Sequence, residues 1–321
     1  KEFGYAVDLF SFENFTPEST FIDYQEENKE GLIRNLYLYD FSKGYKEESA
    51  RRCHFSQNKF LQDWTRPGMH LLFEEAIQQH HYVVIGVFYS FLANLFVDAD
   101  IKAKRIYFML DSMFLQQSSW DVDKTRLGQL MDEELSKLKF FDEILCISYD
   151  EKIMYEKLLS RPIGFLPYII PVKANPVITP VRDRKYDVAF VGFDNPFNVE
   201  GLQWFIDKVY PMLNQDIKAV FVGSVTKKIQ RVPSSVTIIP FAPDLKALFD
   251  DVKIAICPMF KGTGMKTKVV EAMAYGIPIV CNERGIDGFP DKLLTGCIVT
   301  DDAEEFAKAI NHLLSDEQFY R

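Results

Sequence analysis

The sequence predicts an α/β protein built from two Rossmann-like domains, each a parallel sheet flanked by helices, with a cleft between them. The chain has 321 residues, which is long for one hydrophobic core and sufficient for two. Hydrophobic residues make up 47% and charged residues 26%, as in a globular protein with a buried core. Short apolar runs alternate with amphipathic stretches, a pattern typical of parallel strands connected by helices.

The first half shows this alternation in an irregular form. Its predicted strands are Tyr5–Phe12, Leu36–Tyr39, Tyr82–Phe88, Arg105–Leu110 and Glu143–Ser148, and its predicted helices are Gly68–Gln79 and Leu127–Phe140. The first residues read like a helix end that leads into a second strand, so we expect an opening strand and loop to precede them. We expect a last helix beyond Arg321 as well. The apolar stretch Tyr82–Val97 is shorter than the roughly 18–20 residues of a spanning helix, and we interpret it as a strand and a helix, with an interfacial membrane segment as the alternative.

A linker and a more regular second half follow. Four prolines in Pro167–Pro180 and the charges of Arg182–Lys185 are typical of a linker. We therefore predict a first domain over 1–172, a linker over 173–185 and a second domain over 186–321. Its predicted strands are Tyr186–Gly192, Ile217–Gly223, Val236–Pro240, Val252–Pro258, Ile277–Cys281 and Cys297–Thr300. Its predicted helices are Val199–Met212, Asp244–Phe249, Met265–Tyr275 and Asp302–Leu314, the first of them capped by Asn198.

The net charge restricts the classes of binding partner, and the cysteines indicate the cellular compartment. The formal net charge of -9 argues against nucleic acid, because a phosphate backbone requires a basic surface. Lys137 with Lys139, or Arg182–Lys185, could contact anionic lipid, and a solvated helix face with a charged linker is the alternative. The five cysteines show neither a C-x-x-C pair nor zinc spacing, which favours a cytoplasmic protein without a metal site.

The most informative segment joins two buried strands of the second half. A strand ends at Pro258, the loop Gly262-Thr263-Gly264 follows, and a predicted helix runs to Gly276, where glycine favours a helix end. Such a loop presents a helix N-terminus at the carboxyl end of a parallel strand, where backbone N–H groups and the helix dipole attract anions. The spacing fits neither a P-loop nor the dinucleotide pattern G-x-G-x-x-G. Lysines in the first turn would add positive charge, which favours a phosphate ligand.

The block from Gly262 to Pro278 resembles the donor-site signature of family 4 glycosyltransferases, which have the two-domain GT-B architecture. That signature reads Gly-x-Gly-x-Lys-x-Lys-Val-x-Glu-Ala-x-Ala-x-Gly-x-Pro, and this sequence follows it throughout. Supporting resemblance extends over Val191–Phe205, Phe221–Gly223 and Pro240–Leu245. Leu110–Ser112 and Phe141–Ser148 resemble the acceptor domain more loosely.

The resemblance implies transfer of a sugar from a nucleoside-diphosphate donor, UDP or GDP linked, to a hydroxyl acceptor, with retention and without a metal or other cofactor. A glycan or lipid-linked acceptor in surface polysaccharide synthesis, and peripheral membrane contact, go with it. The implied donor residues are Gly262, Thr263, Gly264, Lys266 and Lys268 for the diphosphate, Glu271 for the ribose, and Phe241 and Ala242 for the base. Lys266 is also a catalytic candidate, and solvated lysines or a structural salt bridge of Glu271 are the alternatives.

Asp111 is the second catalytic candidate. It ends a predicted buried strand, where its carboxylate could orient or deprotonate the acceptor hydroxyl. An ordinary helix cap would look the same in the sequence. Many family members carry two carboxylates in the donor block, and the first of them aligns here with Thr263. Which group contacts the sugar hydroxyls therefore stays open.

Two other classes of protein share this architecture. Nucleotide-sugar 2-epimerases crowd acidic and histidine side chains into the site, and the sequence shows no such signature after the linker. A non-catalytic paralogue that binds a nucleotide sugar as a scaffold would also retain Lys266, Lys268 and Glu271. Release of nucleoside diphosphate in the presence of an acceptor separates the transferase from both.

Overall fold

The computed structural model describes residues 4–13, 31–42, 60–97, 99–120, 126–170, 183–214, 216–293 and 296–320. The chain divides into two compact units, one formed by residues 1–109 and 123–144 and the other by residues 110–122 and 145–321. Most of the predicted linker 173–185 lies outside the described residues, and the predicted domain boundaries stay a prediction.

The first half contains short strands and helices in alternation. In chain order they are β1 (Val7–Glu13), β2 (Ile33–Asp40), α1 (Pro67–Gln78), β3 (Val84–Phe88), α2 (Asn94–Val97), β4 (Lys104–Met109), α3 (Met113–Trp120), α4 (Leu127–Leu138), β5 (Glu143–Cys146), α5 (Tyr149–Leu159) and β6 (Gly164–Phe165). β1 and β2 pair in parallel, as do β3 and β4, and the second half of β5 pairs in parallel with β6.

The second half forms one six-stranded sheet. Its elements are β7 (Tyr186–Val191), α6 (Pro196–Trp204), β8 (Ala219–Val222), β9 (Thr237–Ile239), α7 (Leu245–Asp250), β10 (Val252–Cys257), α8 (Thr267–Ala274), β11 (Ile279–Cys281), β12 (Cys297–Val299), α9 (Ala303–Ser315) and α10 (Glu317–Tyr320). The strand order is β12-β11-β10-β7-β8-β9, and the pairs are parallel. The order reverses between β7 and β10, and ligands of such sheets bind outside the carboxyl ends of the strands at that switch point.

Both faces of this sheet are buried. Alternate residues of β7 enter different cores, Ala189 on one face and Val188 with Phe190 on the other. α8 packs on the first face through Val269, and α9 packs on the second through Phe306. The predicted fold class, α/β with parallel sheets flanked by helices, is confirmed.

Three local predictions were wrong in detail. The helix predicted over Val199–Met212 begins at Pro196 and passes into a π-helical turn at Phe205–Val209. Asn198 is not its cap, because the side chain of Asn195 accepts from the Asn198 amide and Pro196 takes the first helical position. α8 begins at Thr267, two residues later than predicted.

The apolar stretch Tyr82–Val97 contains β3 and α2, so its interpretation as a strand followed by a helix is confirmed. Within the described ranges, no helix has the length and apolarity needed to cross a membrane.

Each of the two proposed basic patches contains a residue that is buried in the structure, Lys137 in one and Arg184 in the other. The Arg184 guanidinium donates to the Val252 carbonyl at 2.7 Å instead of facing solvent.

Candidate active site

The loop predicted to bind phosphate lies at the switch point of the six-stranded sheet. It leaves the carboxyl end of β10 and leads into α8, beside the end of β7. Gly262 and Gly264 have φ angles of 110° and 67°, which glycine adopts readily and other residues rarely do. Helix α6 approaches this loop closely, because a Cβ on Gly201 would collide with the Pro258 carbonyl. The loop is therefore fixed on one side by a neighbouring backbone.

The first turn of α8 has no side-chain cap. Lys266 occupies its N-cap position without a capping hydrogen bond. By contrast, Asn195, Asp244 and Asp302 cap α6, α7 and α9 with side-chain oxygens. A cation at a helix N-terminus opposes the helix dipole, and an uncapped first turn has N–H groups to offer. Arg66 and Arg126 occupy uncapped N-cap positions of α1 and α4 as well, so what distinguishes α8 is its place at the switch point of the six-stranded sheet. At that place an anion would interact favourably with both the lysine and the free N–H groups.

Lys266 folds back over its own loop. Its side chain is buried, and Nζ donates to the carbonyls of Thr263 at 3.0 Å and Gly264 at 3.1 Å. The ammonium thus holds the loop carbonyls inward and adds positive charge directly behind the loop.

Lys268 connects α8 to the segment that follows β7. Its Nζ donates to Asn198 Oδ1 at 2.6 Å and lies 4.4 Å from the centre of the Phe190 ring. The side-chain nitrogen Nδ2 of Asn198 in turn donates to the Phe193 carbonyl at 2.9 Å. Burial lowers the pKa of Lys268. Its cation is therefore positioned at the switch point between β7 and β10.

Asp111 belongs to the same unit as this loop and contacts it directly. Thr263 Oγ1 donates to Asp111 Oδ1 at 3.4 Å, and Gln116 Nε2 lies 3.4 Å from Oδ2. Burial raises the pKa of Asp111 to about 6, although the positive charge of Lys266 and the Thr263 hydrogen bond lower it. α3 begins at Met113, so Ser112 rather than Asp111 precedes the helix. The described contacts of the Asp111 carboxylate favour the active-site interpretation over a helix cap.

Glu271 lies in the second turn of α8. Tyr168 Oη donates to Glu271 Oε1 at 3.4 Å, and burial raises the pKa of Glu271. A half-buried carboxylate with one long hydrogen bond retains acceptor capacity, as contact with a ribose diol would require.

The two predicted base residues lie two strands away from β7, after β9. The Phe241 side chain is 78% exposed, whereas Ala242 packs against the core of one sheet face. The structure brings Asp111, Thr263, Gly264 and Lys266 together and does not bring Phe241 into that group of contacts.

Glu151 is the site residue that the sequence interpretation missed. Its Oε1 accepts from the backbone amides of Ser112 and Gly264, both at 3.0 Å. A signal for it existed, because Ser148-x-x-Glu151 matches a capping box at the start of a helix. Ser148 Oγ does accept from the Glu151 amide, at 3.4 Å.

The described residues contain no group of three or more His, Cys, Asp or Glu side chains arranged to hold a metal ion. The charged groups at this site include the two lysines of the α8 start and three carboxylates, Asp111, Glu151 and Glu271.

The chain is similar to known proteins in sequence and in fold. The family model described as glycosyl transferases group 1 matches residues 185–316. The chain is 28% identical over 236 residues to a Klebsiella pneumoniae protein described as an uncharacterized 44.6 kDa protein in the cps region. That match covers 67% of this chain and 54% of the relative, so the chain spans about half the length of that protein.

Two solved structures show the same fold at low sequence identity. HepE of Anabaena, solved in complex with UDP and glucose, is 11% identical with a TM-score of 0.65, over 92% of this chain and 81% of HepE. TarM of S. aureus, solved in complex with fondaparinux, alpha-GlcNAc-glycerol and UDP, is 11% identical with a TM-score of 0.61, over 78% of this chain and 53% of TarM. Residues 185–316, which include the loop at the switch point between β7 and β10, are therefore similar to the glycosyl transferases group 1, and the chain has a fold of the GT-B type.

Proposed function

We propose that this protein transfers a sugar from a nucleoside-diphosphate sugar to a hydroxyl acceptor, with retention at the anomeric carbon and without a metal ion. The observation that carries the proposal is the uncapped start of α8 at the sheet's switch point, with Lys266 at its N-cap and Lys268 in its first turn. This arrangement suits a diphosphate leaving group, whose negative charge grows as its bond to the sugar breaks.

The donor residues have distinct roles in this proposal. Gly262, Thr263 and Gly264 form the loop that faces the diphosphate, and Lys266 and Lys268 supply its positive charge. Because both ammonium groups are held by hydrogen bonds before the donor arrives, they need little reorganisation as the leaving group departs. Glu271 accepts from the ribose hydroxyls, and Phe241 and Ala242 lie against the base.

Asp111 acts on the acceptor. With a pKa raised to about 6, its carboxylate is ionised at neutral pH yet more basic than an exposed aspartate. It can therefore orient the acceptor hydroxyl by accepting its hydrogen bond, or take its proton as the new glycosidic bond forms. The weak Thr263 contact at 3.4 Å leaves room for that exchange.

The donor and pathway are proposed from the similar proteins. HepE and TarM were each solved with UDP, so UDP is the first nucleotide to test, with GDP as the alternative. The relative from a cps region supports a glycan or lipid-linked acceptor in surface polysaccharide synthesis. We place the protein in the cytoplasm, where nucleotide sugars are made, in peripheral contact with the membrane when the acceptor is lipid linked.

Nucleotide binding and product release test this proposal together. We expect UDP or GDP to raise the melting temperature and NAD to leave it unchanged. A ligand at a hundred times its Kd adds about 2.7 kcal/mol to the free energy of unfolding, so the shift is readily measured. We expect the Glu271→Ala variant to lose about half of this stabilisation, because a tenfold higher Kd leaves about 1.4 kcal/mol at the same ligand concentration. We expect Glu304→Ala, which removes an exposed glutamate from the first turn of α9, to retain all of it.

The second arm measures release of UDP or GDP from UDP-glucose, UDP-N-acetylglucosamine and GDP-mannose, with a membrane extract as acceptor source and EDTA present. Release that depends on the extract supports a metal-independent transferase. Conversion of the sugar without an extract would identify an epimerase. Binding without either reaction would identify a scaffold.

A further inference from the structure

One oxygen atom of Glu151 joins two segments that the proposed chemistry requires. Oε1 accepts from the amide of Ser112, which follows Asp111, and from the amide of Gly264, which follows Thr263. Both distances are 3.0 Å, and Glu151 and Ser112 are 5% and 0% exposed. The residues that touch each other, Asp111 and Thr263, are therefore each one position away from an amide held by the same carboxylate.

The energetic reason for this bridge is the cost of burying N–H groups without acceptors. A buried amide left without an acceptor destabilises the folded state, because it loses its hydrogen bond to water and gains none in return. Without Glu151, the amides of Ser112 and Gly264 would have to rotate toward water, and the contact of Asp111 with the loop would open. The bridge uses one oxygen only, so a neutral side chain with a carbonyl oxygen in the same place could form it.

The turn that carries Glu151 is fixed by independent contacts. The Tyr149 amide donates to the Gly288 carbonyl at 2.9 Å, and the Gly288 amide donates to Asp150 Oδ2 at 2.9 Å. The Ser148 hydroxyl caps the same turn. A carboxylate on a turn held this way is suited to positioning other groups, because its own location is set by neighbours outside the site.

We propose that Glu151 is a positioning residue, which holds Asp111 against the Gly262–Gly264 loop by accepting from the amides of Ser112 and Gly264. This inference rests on the proposed function for the roles of Asp111 and of the loop. Glu151 itself touches neither donor nor acceptor in this proposal.

The test compares Glu151→Gln with Glu151→Ala by NMR titration of the Asp111 carboxyl carbon, assigned with Asp111→Asn. Among the charged groups of neighbouring elements, Lys266 lowers the pKa of Asp111, and Glu151 accepts from the amide of the next residue. Both variants remove the same charge, so any difference between them reports the position of Asp111. Glu156→Gln is the matched control, since Glu156 accepts from a backbone amide, that of Ile163, at the other end of α5.

We expect the pKa of Asp111 to stay raised in Glu151→Gln and in the control, because burial against the loop is preserved. In Glu151→Ala we expect it to fall toward the ordinary value of about 3.9. We expect the Kd for UDP to rise by about tenfold in Glu151→Ala and to change little in Glu151→Gln. Equal Asp111 titration in the two variants would overturn the proposal, and so would tighter UDP binding by Glu151→Ala, which would mean that Glu151 competes with the phosphate.

Amide hydrogen exchange on the wild-type protein keeps the proposal falsifiable if Glu151→Ala does not fold. We expect the Ser112 and Gly264 amides to be protected in the protein without nucleotide, since a buried carboxylate accepts from both. Exchange of either amide at the rate of an exposed loop would overturn the proposal. If wild type fails to bind UDP, the proposed function fails, while titration and exchange still decide the role of Glu151.

Discussion

The carboxylate of Asp111 lies where a side chain on residue 264 would have to stand. A Cβ built on Gly264 collides with Asp111 Oδ1 and approaches the Leu110 carbonyl to 2.9 Å. The second glycine of the loop therefore serves a close approach between two segments of the protein, in addition to any approach of a phosphate. It also has a φ of 67°, which disfavours other residues independently.

The cost of that close approach can be measured by substitution. We expect Gly264→Ala to lower the free energy of unfolding by about 2–4 kcal/mol, because it adds a steric clash to the left-handed backbone. Gly276→Ala is the matched control, with a φ of 66° and no atom within 4 Å of the new Cβ. It should lose only about 1–2 kcal/mol. Urea denaturation of both variants checks this, and equal losses would mean that the Asp111 contact is not tight.

Lys268 should matter for nucleotide binding far more than for stability. The desolvation of its buried cation offsets the contacts with Asn198 and Phe190, so Lys268→Met should change the free energy of unfolding by less than about 1 kcal/mol. Loss of its charge should raise the Kd for UDP by at least about tenfold. Lys261→Met removes an exposed lysine of the same loop that pairs with Glu200 at 2.9 Å, and it should change both quantities little. Calorimetric titration measures the Kd of both variants for UDP. Similar Kd values would contradict the assignment of Lys268 to the diphosphate.

Asp111 should make stability depend on pH in an unusual direction. Its folded pKa of about 6 exceeds the ordinary value, so the folded state binds the proton more tightly than the unfolded state. The contribution of Asp111 to stability therefore falls by about 1–3 kcal/mol as pH rises from about 4 to about 6, and it stays level above. Asp111→Asn lacks this loss and should be the more stable protein at neutral pH, although it loses transfer activity.

Asp142→Asn is the control, because it should change the free energy of unfolding in the opposite direction. The Arg105 guanidinium lowers the pKa of Asp142, so this carboxylate stabilises the folded state above its ordinary pKa and the effect is lost as pH falls through the lowered value. Denaturation of both variants across pH should give differences of opposite sign from wild type. A loss of stability in Asp111→Asn at neutral pH would contradict the burial of the charge.

Glu271 and Tyr168 form a pair whose members should behave differently. Glu271→Ala removes the acceptor of the ribose hydroxyls and should raise the Kd for UDP by about tenfold. Tyr168→Phe removes only a hydrogen bond of 3.4 Å and should change the Kd by less than about threefold. Equal effects in a UDP titration would mean that Glu271 acts through Tyr168 and not on the nucleotide.

The sequence predicted the strands of the second half well because both sheet faces are buried and apolar runs such as Val252–Cys257 stand out. It failed at α5, whose apolar residues do not form a clear stripe, although Ser148 as a cap and the acidic residues Asp150 and Glu151 mark the start of a helix. Asn198 was chosen as a cap in place of Asn195, although Pro196 marks the first position of a helix.

The candidate site was predictable only in part, for a physical reason. The loop and its lysines form a continuous motif whose spacing carries the chemistry. The contact of Asp111 with Thr263 and that of Glu151 with Gly264 join residues that are 152 and 113 positions apart along the chain, and no local pattern encodes them. The direction of Lys266, back toward its own carbonyls, depends on burial that only the folded chain defines.

The most direct test of diphosphate binding by the Gly262–Gly264 loop and the lysines that follow it is calorimetric titration with UDP and with uridine. We predict that UDP binds at least about a hundredfold more tightly than uridine, because charge-assisted hydrogen bonds from the loop and its lysines act on the diphosphate alone. We predict that Lys268→Met reduces this difference and leaves the Kd for uridine unchanged. Equal binding of UDP and uridine, or no binding of either, would contradict the assignment of this loop as a donor site.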